Sequence, residues 1–195
     1  MSAVAEKSLL SPEDLLSLPD EKNFELIEGE LLERNMGVLS SWVAIQLLKV
    51  LGEYGDKEPL GWFLGSDAGY QCFPHSPRTV RKPDVSFVRK GRFPDEQIPE
   101  GWARLAPDLA VEVVSPNDVM YELDDKVTEY RKVGVPLIWI VNPRARTVHV
   151  YRPNGPIIVL SEGDELSGED VLPGFVCPVA AIFPPRPAPA DAPAQ

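Results

Sequence analysis

Three residues of this chain are of a type and spacing that could do chemistry together. Glu112 sits in DLAVEVV with apolar neighbours on both sides. A carboxylate buried without a partner costs several kcal/mol. Glu112 is therefore either a structural acid paired to an arginine, or a metal ligand or general base. Asp84 lies in KPDVSFV, where Pro83 suits the start of a strand. Alone, Asp84 could simply cap the strand entry. Taken together, two acids on strands expected to be neighbours can converge on one cation. A hard divalent ion such as Mg²⁺ takes one or two carboxylates and completes its shell with water and phosphate oxygens. Lys126 is the third candidate. On a helix, Val119, Met120, Leu123, Val127, Tyr130 and Val133 define an apolar face, and Lys126 falls about 50° from its centre. It is the only basic residue between Asp108 and Tyr130, a span with seven acids. The alternative is a surface lysine that pairs with Glu122.

Composition narrows the choice of chemistry. The chain has 195 residues, 44% hydrophobic and 25% charged, and a formal net charge of −11. These values describe one ordinary globular domain with a sizeable core. Only two histidines, His75 and His149, are present, which argues against a His base or a multi-His metal site. Two cysteines, Cys72 and Cys177, suit reduced thiols and a cytoplasmic protein. No apolar run approaches the ~18 residues needed to span a bilayer, and no signal peptide is visible. The acidic balance argues against a protein that coats nucleic acid. Against it stands residues 78–92, RTVRKPDVSFVRKGR, with six basic groups and Asp84 as its only acid. That strip is either a solvated edge strand protected by charge or a phosphate-gripping surface.

The elements that must position these residues follow from pattern. Ser11-Pro12 with acids behind it predicts a short capped helix. NFELIEGELLERN predicts a tight hairpin at Glu28-Gly29. Residues 40–54 have apolar spacing at 42, 45, 47/48 and 51, which predicts an amphipathic helix. GWFLG, AGYQCF, TVRKPDVSFV and DLAVEVV predict strands, the last covered on both faces. Asn117 or Asp118 is expected to cap a helix over 119–133 that stops at Gly134. PLIWIVN predicts a buried strand, and TVHVYRP with PIIVL a hairpin. The order implies one α/β sheet with a crossover helix between neighbouring parallel strands. Residues 1–183 are expected to form a single domain and 184–195, rich in Pro and Ala, a disordered tail. No Gly-rich phosphate loop, G-x-S-x-G elbow or HExxH is present.

FELIEGEL, KPDVSFV, PDLAVEVVSP and KVTEYRKVGVPLIWIVNP, in that order and spacing, resemble the Uma-type putative restriction endonuclease family, itself similar to the PD-(D/E)xK nucleases. The resemblance covers about residues 10–183. It implies a restriction-endonuclease-like mixed sheet flanked by helices, with additional β-hairpins. It places Pro83-Asp84 at the PD of the motif and Glu112 at its second acid. The position of the motif lysine falls on Val114, so the lysine is implied to have moved to the next helix, at Lys126. Glu25 matches an acid that helps to hold metal or water, and Glu30 is a lesser candidate beside it. Where many relatives have a histidine at the start of the long helix, this chain has Ser40-Ser41, and Lys82 replaces a common glutamine.

The implied reaction is hydrolysis of a DNA phosphodiester. Asp84, Glu112 and the main-chain carbonyl of Val113 would hold Mg²⁺ or Mn²⁺. Lys126 would orient water or neutralise charge on the phosphate. Arg78, Arg81, Lys82, Arg89, Lys90 and Arg92 would grip phosphates beside the cleft. DNA is the implied partner, with a homodimer expected by analogy. The alternatives are a nuclease fold that serves as a binding or regulatory module, and a small-molecule enzyme that uses a buried carboxylate.

Overall fold

The computed structural model describes residues 8–34, 36–116 and 118–186. A short helix, a 3₁₀ turn and a hairpin lead into the body: α1 (Pro12–Leu16), the turn Glu21–Asn23, then β1 (Phe24–Ile27) and β2 (Glu30–Glu33), then the long α2 (Val38–Gly55). Ser11 caps α1 in a reciprocal box with Asp14, as expected of Ser before Pro. The hairpin turns on Glu28 and Gly29, with φ of 51° and 90°. Two successive positive φ values are what a two-residue turn needs to match strand twist.

The central sheet has six strands in the order β3-β4-β5-β6-β7-β8. These are β3 (Gly61–Gly65), β4 (Val85–Arg89), β5 (Leu109–Val113), β6 (Leu137–Asn142), β7 (Thr147–Tyr151) and β8 (Ile158–Ser161). Only β5 and β6 are parallel, and α3 (Met120–Lys132) is the crossover between them. A small antiparallel pair, β9 (Glu165–Ser167) and β10 (Val176–Pro178), closes the chain. All five residues of LAVEV and the first five of LIWIVN are buried, because both faces of these strands are covered. On one face α2 packs Val43, Ala44, Leu47 and Leu51 against Val85, Phe87, Val111, Val113 and Trp139. On the other, α3 packs Val127 and Tyr130 against Ala110, Ile138 and Ile140. Gly134, at φ 82°, ends the helical stretch.

Several expectations are corrected in detail. The buried stripe of α2 is Ser40, Val43, Ala44, Leu47 and Leu51, while Trp42 and Ile45 are exposed. The apolar residues fit two phases, and the Ser40 hydroxyl, which donates to the Val114 carbonyl at 2.9 Å, belongs to the inner one. AGYQCF and the first half of TVRKPDVSFV are not strands. Tyr70 bridges singly to Arg81 and Ala103, and Val80 to Leu26. Val119 occupies the cap position of α3 with no side-chain cap. Asp118 instead accepts from the Ser115 N–H at 2.7 Å, and Asn117 lies outside the described residues. Val119 and Met120, expected in the core face of α3, are exposed, so that face begins at Leu123. Most of the expected tail, residues 187–195, also lies outside the described residues. Among those described, no helix is long and apolar enough to cross a membrane.

The phase of α2 is open to test. Leu47→Ala, at a fully buried site, is expected to cost about 2–5 kcal/mol. Ile45→Ala, at a side chain 66% exposed, is expected to stay within about 0.5 kcal/mol. Denaturant unfolding of both variants checks the order.

Candidate active site

The register of the sheet decides where Asp84 and Glu112 point. β4 pairs antiparallel with β5, Val85 opposite Val111 and Ser86 opposite Ala110. Extending that ladder by one residue sets Asp84 beside Glu112, and cross-strand neighbours share a face. Odd-numbered residues of both strands face α2, so the two acids face the α3 side. They line one cleft together with Glu25, Arg34 and Lys126. Asp84 and Glu112 are 8% and 5% exposed.

Each carboxylate is held from two sides. Asp84 accepts from the Val113 N–H at 2.7 Å on Oδ2 and from Arg34 at 3.2 Å on Oδ1. Glu112 accepts from the Tyr130 hydroxyl at 2.8 Å on Oε1 and from the Lys126 ammonium at 3.2 Å on Oε2. Lys126 also stands 3.2 Å from Glu25. Tyr130 follows Lys126 by four residues, so one face of α3 delivers both donors to Glu112. Val114, at the standard lysine position, lies just past the end of β5, and a helix supplies the amine instead.

Glu25 reaches the site because the β1–β2 hairpin is not a solvated appendage. Leu26 exchanges backbone hydrogen bonds with Val80 at 3.0 and 2.8 Å, which drives the neighbouring Glu25 fully inside. There it accepts from Arg81 at 3.1 Å and from the Lys82 N–H at 2.8 Å. Arg81 continues to Glu129 of α3 at 2.7 Å. With both oxygens engaged, Glu25 anchors Lys126 and Arg81 rather than presenting a free ligand. Glu30 is exposed on β2.

Titration follows from these contacts. Burial, and then the Glu112 charge, push the Asp84 carboxyl up to about 7. Burial raises Glu112 as well, against the pull of Lys126. For Glu25, burial is outweighed by Lys126, Arg81 and the Lys82 N–H, and its pKa is lowered. Burial works against the Lys126 ammonium, but Glu112 and Glu25 outweigh it and raise its pKa. Lys126 is thus a fixed cation and not a base.

The basic strip is corrected. Arg81 is 3% exposed and shared between two acids. Lys82 is fully buried, 2.6 Å from Glu21 and 5.0 Å from the centroid of the Trp102 ring. Neither can reach a phosphate without abandoning a buried charge. Arg89, Lys90 and Arg92 lie at or beyond the far end of β4 from Asp84. Arg89 donates to the Asp170 carbonyl at 3.0 Å and Arg92 to Asp108 at 2.7 Å. Arg78 is exposed, before the strand and outside the cleft lining.

Sequence reasoning misses two residues that hold the acids. Tyr130 packs in the apolar core, as its place on the helix face predicts, but its hydroxyl also holds Glu112, and its spacing from Lys126 is a usable signal. Arg34 was not singled out, although it is the only base in NFELIEGELLERN.

The donor set suits a hard divalent cation. Two carboxylates share one wall of a cleft, and burial raises the pKa of both against the donors and cations around them. Among the described residues no group of three or more His, Cys, Asp or Glu side chains is arranged to hold a metal. A divalent ion bound there would draw two carboxylates from the protein and would keep several waters.

The mixed sheet, with its crossover helix and added hairpins, is a nuclease-like fold. A solved structure, a putative nuclease belonging to DUF820 from Anabaena variabilis, has the same fold, with a TM-score of 0.73 over 89% of this chain and 97% of that one, at 19% identity. The chain belongs to the Uma2 family, described as "putative restriction endonuclease", which matches residues 12–180. No curated protein matches the chain.

The raised Asp84 pKa gives a stability test with a definite sign. Between the ordinary carboxyl pKa and about 7, the folded state keeps a proton that the unfolded chain has lost. Folding is therefore opposed increasingly as pH rises through that window, and fully opposed above it. Asp84→Asn removes the opposition. In EDTA, the stability of Asp84→Asn relative to the native chain is expected to rise by about 1–3 kcal/mol between pH 5 and pH 8, read by urea unfolding at each pH. A difference that stays flat or falls would mean that Asp84 is ionised throughout.

Proposed function

We propose that the chain is a metal-dependent endonuclease that hydrolyses phosphodiester bonds of DNA. The observation that carries this reading is the Lys126 ammonium held at 3.2 Å on Glu112, with Asp84 beside it in the same cleft. Membership of the restriction endonuclease-like family supports the reaction class and DNA as substrate.

Asp84, Glu112 and the Val113 carbonyl would hold Mg²⁺ or Mn²⁺. Bound there, the ion would polarise the phosphate and lower the pKa of a coordinated water. The protein's own groups do the rest. Lys126 stays protonated, so it acts as a hydrogen-bond donor and point charge towards the water or a phosphate oxygen. Tyr130 fixes the Glu112 carboxylate, and the Val113 N–H fixes that of Asp84, so both face the cleft without reorganisation. Glu25 and Arg81 hold Lys126 in place. The water oxygen adds to phosphorus and releases one proton to solvent, the P–O bond to the leaving sugar oxygen breaks, and that oxygen takes up a proton from solvent. No histidine base is required. Cutting both strands of a duplex in one encounter would use two such clefts, which a homodimer would supply.

The test is plasmid cleavage in Mg²⁺ or Mn²⁺ against an EDTA control. Asp84→Asn is the informative variant because it removes a charge the fold disfavours. It is expected to stay folded and to lose activity by more than about 100-fold, beyond the ~10–100-fold that loss of an outer hydrogen bond costs. Lys126→Ala is expected to lose cleavage too, but it leaves two buried acids unpaired, at a cost of about 3–5 kcal/mol. An intact chain that binds DNA and never cuts it, with any divalent ion, would make it a binding module on a nuclease fold.

A further inference from the structure

The contact that the nuclease reading does not use is the one between Arg34 and Asp84. Arg34 follows the last residue of β2, and its N–H closes the hairpin onto the Asn23 carbonyl at 2.7 Å. Its guanidinium reaches across the cleft. One nitrogen donates to the Ser66 carbonyl at 2.9 Å, and the other to the Lys82 carbonyl at 3.1 Å and to Asp84 at 3.2 Å. Two main-chain carbonyls thus fix the guanidinium before Asp84 is counted, and its side chain is only 15% exposed. Such a fork is pre-organised and does not swing freely.

The remaining coordination space is narrow. Asp84 gives Oδ1 to Arg34 and Oδ2 to the Val113 N–H. Glu112 gives Oε1 to Tyr130 and Oε2 to Lys126. Glu25 is consumed by Arg81, Lys126 and the Lys82 N–H. Each oxygen of Asp84 and Glu112 keeps one further lone-pair direction, enough for one ion between fixed cations on either side. Two ions about 3.5–4 Å apart share carboxylates between them, and a third acid is not free to join. Glu33 and Glu122 at the cleft mouth attract cations, but they do not complete a metal-holding group with the inner pair.

We infer that Arg34 is a built-in cation that occupies the Asp84 side of the site, limits it to a single divalent ion, and lowers the affinity for that ion. The inference rests on the metal-dependent reading above and concerns a residue that reading leaves without a role. The physical ground is Coulomb repulsion at short range in a partly buried cleft, where a unit charge near a divalent ion is weakly screened. Arg34 is a positioning residue by this account.

The experiment is a Mn²⁺ titration of the full chain, followed by the EPR signal of free Mn²⁺, with folding checked by circular dichroism. The native chain is expected to bind one ion, and Asp84→Asn none. Arg34→Gln can still donate to a carbonyl but carries no charge, and it is expected to bind Mn²⁺ ~10- to 100-fold more tightly. Arg34→Lys keeps the charge and is expected to stay within about threefold of native. Equal or weaker binding by Arg34→Gln overturns the inference and leaves the nuclease reading standing. So do two ions of similar affinity on the native chain, both lost in Asp84→Asn. Binding by Arg34→Gln alone supports the inference in its strongest form. No binding by any variant overturns the inference and the metal-dependent reading together. Should Arg34→Gln not fold, the native stoichiometry and a more than ~10-fold change in Arg34→Lys each still decide against it.

Discussion

Two carboxylates that cannot both be comfortable dominate this molecule. The β4–β5 register sets Asp84 and Glu112 side by side on a face that the α3 crossover covers. Burial alone disfavours their charge, and a neighbouring carboxylate adds to it, Glu112 for Asp84 and Glu25 for Glu112. The surrounding residues respond to that constraint in layers. Lys126 and Tyr130 meet Glu112, while Arg34 and the Val113 N–H meet Asp84. Glu25 then balances Lys126 and Arg81, and Glu129 balances Arg81 again. The β1–β2 hairpin is essential to this arrangement, because Glu25 and Arg34 both come from it. Burial still raises the pKa of both Asp84 and Glu112 against this compensation. Under the proposed reading, a bound cation would meet that deficit.

The same accounting explains the fate of the basic strip. A run of Arg and Lys around an acid looks like a phosphate grip, but Arg81 and Lys82 are the nearest to Asp84 and both are buried against acids. Their role is internal neutrality. The cleft lining has Glu25, Glu33, Asp84, Glu112, Asp118 and Glu122 against Arg34 and Lys126. Under the proposed reading, an anionic backbone meets a repulsive mouth until a divalent ion arrives. Substrate binding and metal binding are then linked, since each is weak without the other.

Much of this was legible in the sequence because strands and motif acids announce themselves. LAVEV and LIWIVN are apolar on both faces and bracket a helix-length segment, so the parallel pair and its crossover followed directly. The Glu28-Gly29 turn did as well. Three features were not legible, for separable reasons. The phase of α2 was ambiguous because Trp42 and Ile45 are as apolar as Val43 and Leu47, and only docking chooses between them. Arg34 comes from a segment that reads as a polar hairpin, where only the resemblance picks out Glu25, and the long-range bridge from Leu26 to Val80 turns that segment inward. The strip's charge was visible, but its partners lie far away in sequence, at Glu21, Glu25, Asp108 and Glu129.

The position of the lysine has a consequence for how the site is assembled. A lysine two residues after Glu112 would ride on the same strand and would be in place whenever that strand was. Lys126 instead arrives on α3 and touches an acid from β5 and another from the hairpin. Its amine joins three segments that are separate in the chain, and loss of any docking exposes two buried acids to each other without their shared cation. The complete set of contacts therefore requires α3, β5 and the hairpin to be docked together. Arg81 reinforces the coupling, since its fork ties the hairpin acid Glu25 to Glu129, three residues beyond Lys126 on the same helix. The helix-borne lysine thus makes the charge beside Glu112 conditional on the docking of both α3 and the hairpin.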